Sequence, residues 1–237
     1  MKVFELSETL ARISVLNSYK RQTILKSPDF LFHYTNPIGL LGIVSSGSLW
    51  MSDSNCLNDS KELLYFKEVV KNCCENICSN KASENFSDSY KKFVSELGEF
   101  ALAEVGSVFV VSLSEHRDQL SQWRGYAGGG QGYALGFRAR ELAKSVQVSG
   151  MVFGRCNYNY QDAYIAAIEI INSFIAEFFN GDTLTVDMQT ITYEFSRSIN
   201  IIAPLFKHSI FAEEAEWRVF CYTHWQDARL EYRSTPT

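Results

Sequence analysis

The chain has 237 residues, of which 46% are hydrophobic and 21% charged. It is long enough to bury an ordinary core and too apolar for a disordered chain. Lys and Arg number 22 against 27 Asp and Glu, a net charge of −5, which lacks the basic balance of a protein gripping duplex DNA through many phosphates. No apolar run reaches the ~18 residues of a membrane span, and the opening MKVFELSETLARIS lacks the apolar stretch and cleavage site of a secretory signal. Six cysteines, at 56, 73, 74, 78, 156 and 221, sit in a chain too large to need a disulfide framework. Cys74 and Cys78 are four apart on an expected helix, but no His or second Cys pair follows at zinc spacing. Reduced thiols, no metal, no membrane partner and a cytoplasmic location are expected.

In chain order, residues 4–21 carry Leu6, Leu10, Ile13 and Leu16 at helical spacing. Phe30 to Tyr34 is an aromatic run suited to a buried strand. Asn36-Pro37 opens a helix with Pro in its first turn, and Gly47 is placed to stop it. A short strand is expected over 48–52. Residues 60–104 read as helical with a polar interruption, SNKASENFSDS. Residues 107–114, SVFVVSLS, make the best strand in the chain. A short helix over 118–126, a Gly-rich turn and a strand over 133–137 follow. The last expectations are a strand over 150–158, helices over 160–180 and 187–203, and a final strand over 216–222. Local basic patches are expected at 20–21, 91–92 and 138–144. Closely spaced strands mixed with helices predict an α+β fold rather than a doubly wound parallel sheet. One domain is expected over 1–237, with an N-terminal helical segment (1–26), a core (30–223) and a tail (224–237).

Four clusters interrupt this apolar pattern. His33-Tyr34-Thr35 ends a strand beside a helix start; His33 is either a ligand-facing group or a core histidine bonded to backbone. Ser112 and Ser114 fall on one face by alternation, as a polar pocket wall or as a strand end turning to water. Trp123 and Tyr126 share a helical face, around Arg124, and either pack in the core or stack on a planar ring. Glu214, Glu216 and Arg218 alternate at the start of the last strand. There the carboxylates either bind something or form a solvated strand start in which Arg218 pairs with Glu216, with Lys207 and His208 just upstream. The Gly-rich turn fits neither a P-loop nor a dinucleotide fingerprint. A nuclease is disfavoured because no metal-binding Asp/Glu/His cluster stands out.

The segments FHYTNPIGLLGIVSSGSLWMSDSNCLND, VSLSEHRDQLSQWRGYAGGGQGYALGF and KHSIFAEEAEWRVF together resemble the bacterial family called domain of unknown function 2971, over about residues 31–222. More distantly, the strand-borne His-x-Thr and the late Glu-x-Glu are similar to motifs of ADP-ribosyltransferase-fold enzymes of the DarT type. That resemblance implies a split, bent β-sheet core with surrounding helices, and NAD as substrate without a metal. It further implies mono-ADP-ribosyl transfer to a nucleic acid or protein, or NAD hydrolysis, in a toxin or phage-defence effector. By the same likeness Glu216 and His33 would be catalytic, and Tyr34, Thr35, Ser112, Ser114, Trp123 and Tyr126 would bind NAD. Glu214, Arg218 and Arg124 would orient the acceptor. This chain joins the His of one branch to the Ser-x-Ser and Glu-x-Glu of another, and a non-catalytic binding domain of the same fold is the alternative.

Overall fold

An aromatic-rich run forms the first strand, β1 (Phe30–Thr35), of a computed structural model that describes residues 27–56, 62–80, 86–103, 106–126, 131–180, 183–223, 227 and 230–231. Asn36 then caps helix α1 (Pro37–Ser46) by accepting from the Gly39 N–H at 2.8 Å. Gly47 ends it at φ 65°, a left-handed conformation that glycine adopts without strain, and its N–H reaches the Ile43 carbonyl. No side chain of α1 is buried; Ile38, Leu41 and Val44 stand in solvent.

The strand expected over 48–52 is instead a two-residue β2 (Ser52–Asp53), because the Asp53 carboxylate takes the Asn55 N–H and turns the chain into a short 3-10 segment. Helices α2 (Glu62–Ser79) and α3 (Asp88–Phe100) follow on either side of the polar interruption, with Ser87 capping α3. Then come β3 (Ser107–Ser114), α4 (Leu120–Tyr126), β4 (Tyr133–Arg138) and α5 (Ala139–Val148). The basic patch expected at 138–144 lies largely on α5, whose Ala139 and Val146 are buried while Lys144 bonds Glu141 at 3.0 Å. After β5 (Val152–Arg155), helix α6 (Tyr160–Phe178) stops two residues short of its expected end. Phe179 and Asn180 leave it to form a hairpin, β6 (Phe179–Asn180) with β7 (Thr183–Leu184). Helix α7 (Met188–Ile202), 3-10 segments over Ala203–Leu205 and Ser209–Glu214, and β8 (Glu216–Thr223) complete the described elements. The helix expected over 4–21, the turn at 127–130 and most of the tail lie outside the described residues.

The fold is mixed α+β. Its main sheet runs β4-β1-β3-β8-β5, with β2 also on β3, and these pairings are antiparallel. β3 and β8 pair along their full length, from Ser107↔Thr223 to Ser114↔Glu216. On its other edge β3 is shared: β1 meets it at Phe32↔Ser114, and β2 at Val110 and Phe109. One sheet face is covered by α2, α3, α6 and α7, whose Phe66, Leu97, Ile170 and Phe195 pack with Val110 and Phe220. The opposite face holds a smaller cluster of Leu31, Val111, Leu113, Trp217 and Val219 beside Ala139 and Val146 of α5. Among the described residues no helix is long and apolar enough to cross a membrane.

Candidate functional site: a buried charge cluster at the start of the last strand

Directly paired residues of an antiparallel ladder share a face, so the Ser114↔Glu216 and Ser112↔Arg218 pairs put all four side chains on the helix-covered side, in line with Phe220. Charges there need partners. The Glu216 carboxylate is 4% exposed and receives Arg218 in a fork, Nε to Oε1 at 2.8 Å and Nη2 to Oε2 at 2.9 Å. Lys207, 2% exposed, donates to the same Oε2 at 3.0 Å and to Glu214 Oε2 at 2.6 Å. The Ser112 hydroxyl also bonds the Glu216 carboxylate. Arg218, fully buried, donates its Nη1 to the Pro204 carbonyl at 3.1 Å. Burial would push the Glu216 carboxyl up; the guanidinium of Arg218, the ammonium of Lys207 and the hydrogen bonds from Arg218 and Ser112 hold it down to about 2.

The corner carrying the two carboxylates is strained. Ala215 sits at φ 43°, the one non-glycine residue with positive φ among those described, between the 3-10 segment and β8. It is held by neighbours on both sides. Ser114 Oγ donates to the Glu214 carbonyl at 2.8 Å, and the Glu216 N–H donates to the Tyr158 hydroxyl at 2.9 Å. Burial pushes that hydroxyl's pKa up. From the other face, Trp217 Nε1 reaches Glu115 Oε1 at 2.8 Å, and Glu115 also pairs with Arg155. The Arg218–Glu216 pair anticipated from alternation therefore forms, but in the interior and not at a solvated strand start.

His33 comes to the same serine by another route. Alternation places it on the Leu31 side of the sheet, opposite Glu216, and its Nδ1 lies 3.0 Å from the Ser112 carbonyl. Burial pushes its pKa down, partly opposed by that hydrogen bond, so the ring is neutral with Nδ1–H donating. His33 and Glu216 thus both touch Ser112, one at its backbone and one at its side chain. Tyr34 is buried, donating its hydroxyl to the His116 carbonyl at 2.7 Å and accepting the Gln119 N–H at 3.0 Å. Its ring meets Trp123 edge-on at 4.7 Å, and Trp123 Nε1 bonds Asp118 at 2.7 Å. Thr35 packs its Oγ1 where a side chain on Gly39 would stand. These three groups bind β1 to its neighbours. Tyr126 and Arg124 lie exposed on α4 and do not join the cluster.

Sequence reasoning named Lys207 only as an upstream cation and missed Tyr158 and the Pro204 carbonyl. A Lys ending the apolar run INIIAPLF was the available signal, since a lone charge after such a run is buried with a partner. His208 does not join: it is exposed and accepts the Ile210 N–H. Among the described residues no group of three or more His, Cys, Asp or Glu could hold a metal ion. Burial pushes the Cys73 and Cys74 thiols up to about 11 and about 12, so both are protonated and inert. A shallow groove of about 610 Å³ on the outer face of α6, lined by Tyr164, Ile165, Ile168 and neighbours, shares no residue with the cluster.

No curated protein and no solved structure matches the chain. Residues 122–219 match a family model, a narrower span than the resemblance read over 31–222. It takes in Trp123, Lys207, Glu214, Glu216 and Arg218 but neither His33 nor the two serines of β3. Over that span, less than half of the chain, the sequence is similar to the family described as Protein of unknown function (DUF2971).

Proposed function

We propose that this chain is an NAD-consuming enzyme of the ADP-ribosyltransferase type, acting as a toxin or defence effector on a nucleic acid or protein, or on water. The observation that carries the reading is the Glu214-Ala215-Glu216 corner. Two carboxylates share one buried ammonium across a backbone residue in a conformation that costs energy. Strain and buried charge both oppose folding, and they gather where a site must be held in shape. Glu214 is the carboxylate nearer solvent, with a side chain 22% exposed against 5% for Glu216. In this reading the roles implied by the resemblance are exchanged: Glu214 meets the substrate and Glu216, buried and fully paired, holds the corner.

The reaction breaks the bond between ribose C1′ and the nicotinamide nitrogen, and the bonding pair leaves with nicotinamide. Positive charge develops on the ribose, and a carboxylate oxygen beside it stabilises that charge. The acceptor oxygen then attacks C1′, and its proton passes to Glu214 or to solvent. Tyr126, exposed on α4, is the ring this reading assigns to nicotinamide stacking, on the resemblance and its exposure alone.

A second reading, a non-catalytic binding domain, is favoured by the full pairing of Glu216 with Arg218, Lys207 and Ser112. Incubating the whole chain with labelled NAD, with nucleic acid and protein acceptors present, separates the two. Nicotinamide release that Glu214→Gln abolishes supports the enzyme; no release under any acceptor condition supports the binding domain.

A further inference from the structure

We propose that Lys207 is a positioning residue of this corner, a group that fixes Glu214 against Glu216 and ties the Ser209–Glu214 segment to β8. The inference rests on the reading of the corner as the place of chemistry, and it adds the element that would keep the corner in register.

Lys207 is itself held from both ends. Its backbone N–H donates to the Asn157 carbonyl at 3.0 Å, and the Asn157 N–H donates to the Leu205 carbonyl at 2.7 Å. Asn157 also forms an isolated bridge with Phe206. The lysine stem thus leaves a fixed backbone, and the ammonium ends between the two carboxylates, 4.8 Å from the centre of the Phe211 ring. Phe211 and Glu214 both belong to the Ser209–Glu214 segment, which buries no residue of its own and carries the exposed Ile210. A segment without buried side chains is not held by packing. Its ties to the rest of the fold include the Lys207–Glu214 ion pair, the cation–ring contact of Lys207 and the hydrogen bond from Ser114. Lys207 supplies both the ion pair and the ring contact.

The chemistry of the side chain suits the task. Both carboxylates bond one nitrogen, so they lie only a few ångströms apart and would repel without it. An ammonium is a compact charge whose three donors can be divided between separate acceptors. A guanidinium is a flat fork that prefers one carboxylate at a time, which is how Arg218 treats Glu216. With Lys207 removed, Arg218 still holds Glu216, while Glu214 loses its short ion pair and would swing away from a neighbour of its own charge.

The test is hydrogen–deuterium exchange of the full chain carrying Lys207→Met, Lys207→Arg, or Lys207→Met with Glu214→Gln, beside nicotinamide release. Lys207→Met is expected to raise exchange about tenfold over residues 209–216 and to leave the β3–β8 amides unchanged, as the loss of a charged hydrogen bond confined to one segment would. Lys207→Arg is expected to restore part of the protection. The double variant removes the unneutralised carboxylate, so it should fold even where Lys207→Met does not, with residues 209–216 still exposed to exchange. If the chain turns over NAD, Lys207→Met should lower kcat about 10²-fold with a much smaller change in KM, the signature of a misplaced group. Uniform exchange across the protein, unchanged exchange at 209–216, or Lys207→Arg no better protected than Lys207→Met would each overturn the assignment. Because exchange needs no substrate, an inactive parent would refute the proposed reaction and still leave the role of Lys207 decided.

Discussion

Glu216→Gln is the sharpest perturbation of the buried cluster, because it keeps the side-chain shape and removes only the charge. In the parent, Glu216 neutralises Arg218, which is fully buried, and shares Lys207 with Glu214. Without the carboxylate, one buried cation is left against a neutral amide. Breaking one side of a buried pair costs about 3–5 kcal/mol. Linkage gives a similar size: a carboxyl held at about 2 when folded and near 4.5 when unfolded contributes about 3 kcal/mol. The sign follows from the depressed value. The contribution is complete above the unfolded pKa and is lost as pH falls from about 5 toward 2. For a chain of this length, 3–5 kcal/mol corresponds to a fall in Tm of about 10 °C. Urea melts of parent and variant at pH 7 and at steps down to pH 3 make the measurement. The parent should lose stability steeply below pH 5, and the variant should start lower and fall less. A variant that melts with the parent at pH 7, or that keeps the same acid slope, would refute the buried-cluster reasoning.

Four further outcomes are expected. His33→Phe should cost about 1–3 kcal/mol by leaving the Ser112 carbonyl without its donor. It should also remove part of the acid sensitivity just below pH 6.5, since a histidine whose pKa is lowered by folding stabilises the fold above its unfolded pKa and ceases to as pH falls through it; pH-dependent melts check both. Gly39→Ala should destabilise by about 1–3 kcal/mol through collision with Thr35 Oγ1, and adding Thr35→Ala should recover much of the loss in the same melts. Tyr34→Phe should cost about 1 kcal/mol in urea denaturation by stripping the hydroxyl that joins His116 to Gln119. Leu41→Ser, on the uncovered face of α1, should change stability by less than about 0.5 kcal/mol.

Local rules made the first half of the site legible. Asn36, Pro37 and Gly47 mark both ends of α1 because capping depends on a few adjacent residues. Period-two alternation correctly put Glu216 with Arg218 and Ser112 with Ser114. What alternation cannot give is which strands meet. The Ser114↔Glu216 pairing joins residues about a hundred positions apart, and nothing local to either strand specifies it. For the same reason Lys207 was visible only as a neighbour in sequence: its ammonium reaches the carboxylates because the 3-10 segment after α7 bends back past Asn157. Alternation also put His33 on the side away from Glu216 once the β1–β3 contact was known, a consequence hidden until that register was in hand. Helix α5 was obscured because Ala139, Leu142 and Val146 are its only core-facing apolar residues among charged neighbours. The end of α6 was obscured because Phe179 continues the apolar pattern while its backbone turns extended.

The place of β8 in the sheet has a consequence for how the chain is made. β8 follows the other strands in sequence, yet it lies between β3 and β5, pairing with both. On the ribosome, residues 107–114 and 152–155 emerge long before 216–223, so their facing edges stay open while about sixty further residues are translated after β5. Closing that gap needs contacts far apart in sequence, which are the slow ones to form, and the charge cluster assembles only at that step. A nascent chain that has not yet delivered Glu216 and Arg218 therefore has no completed corner. Whatever activity the corner supports would be withheld until residues 216–223 have left the ribosome and paired.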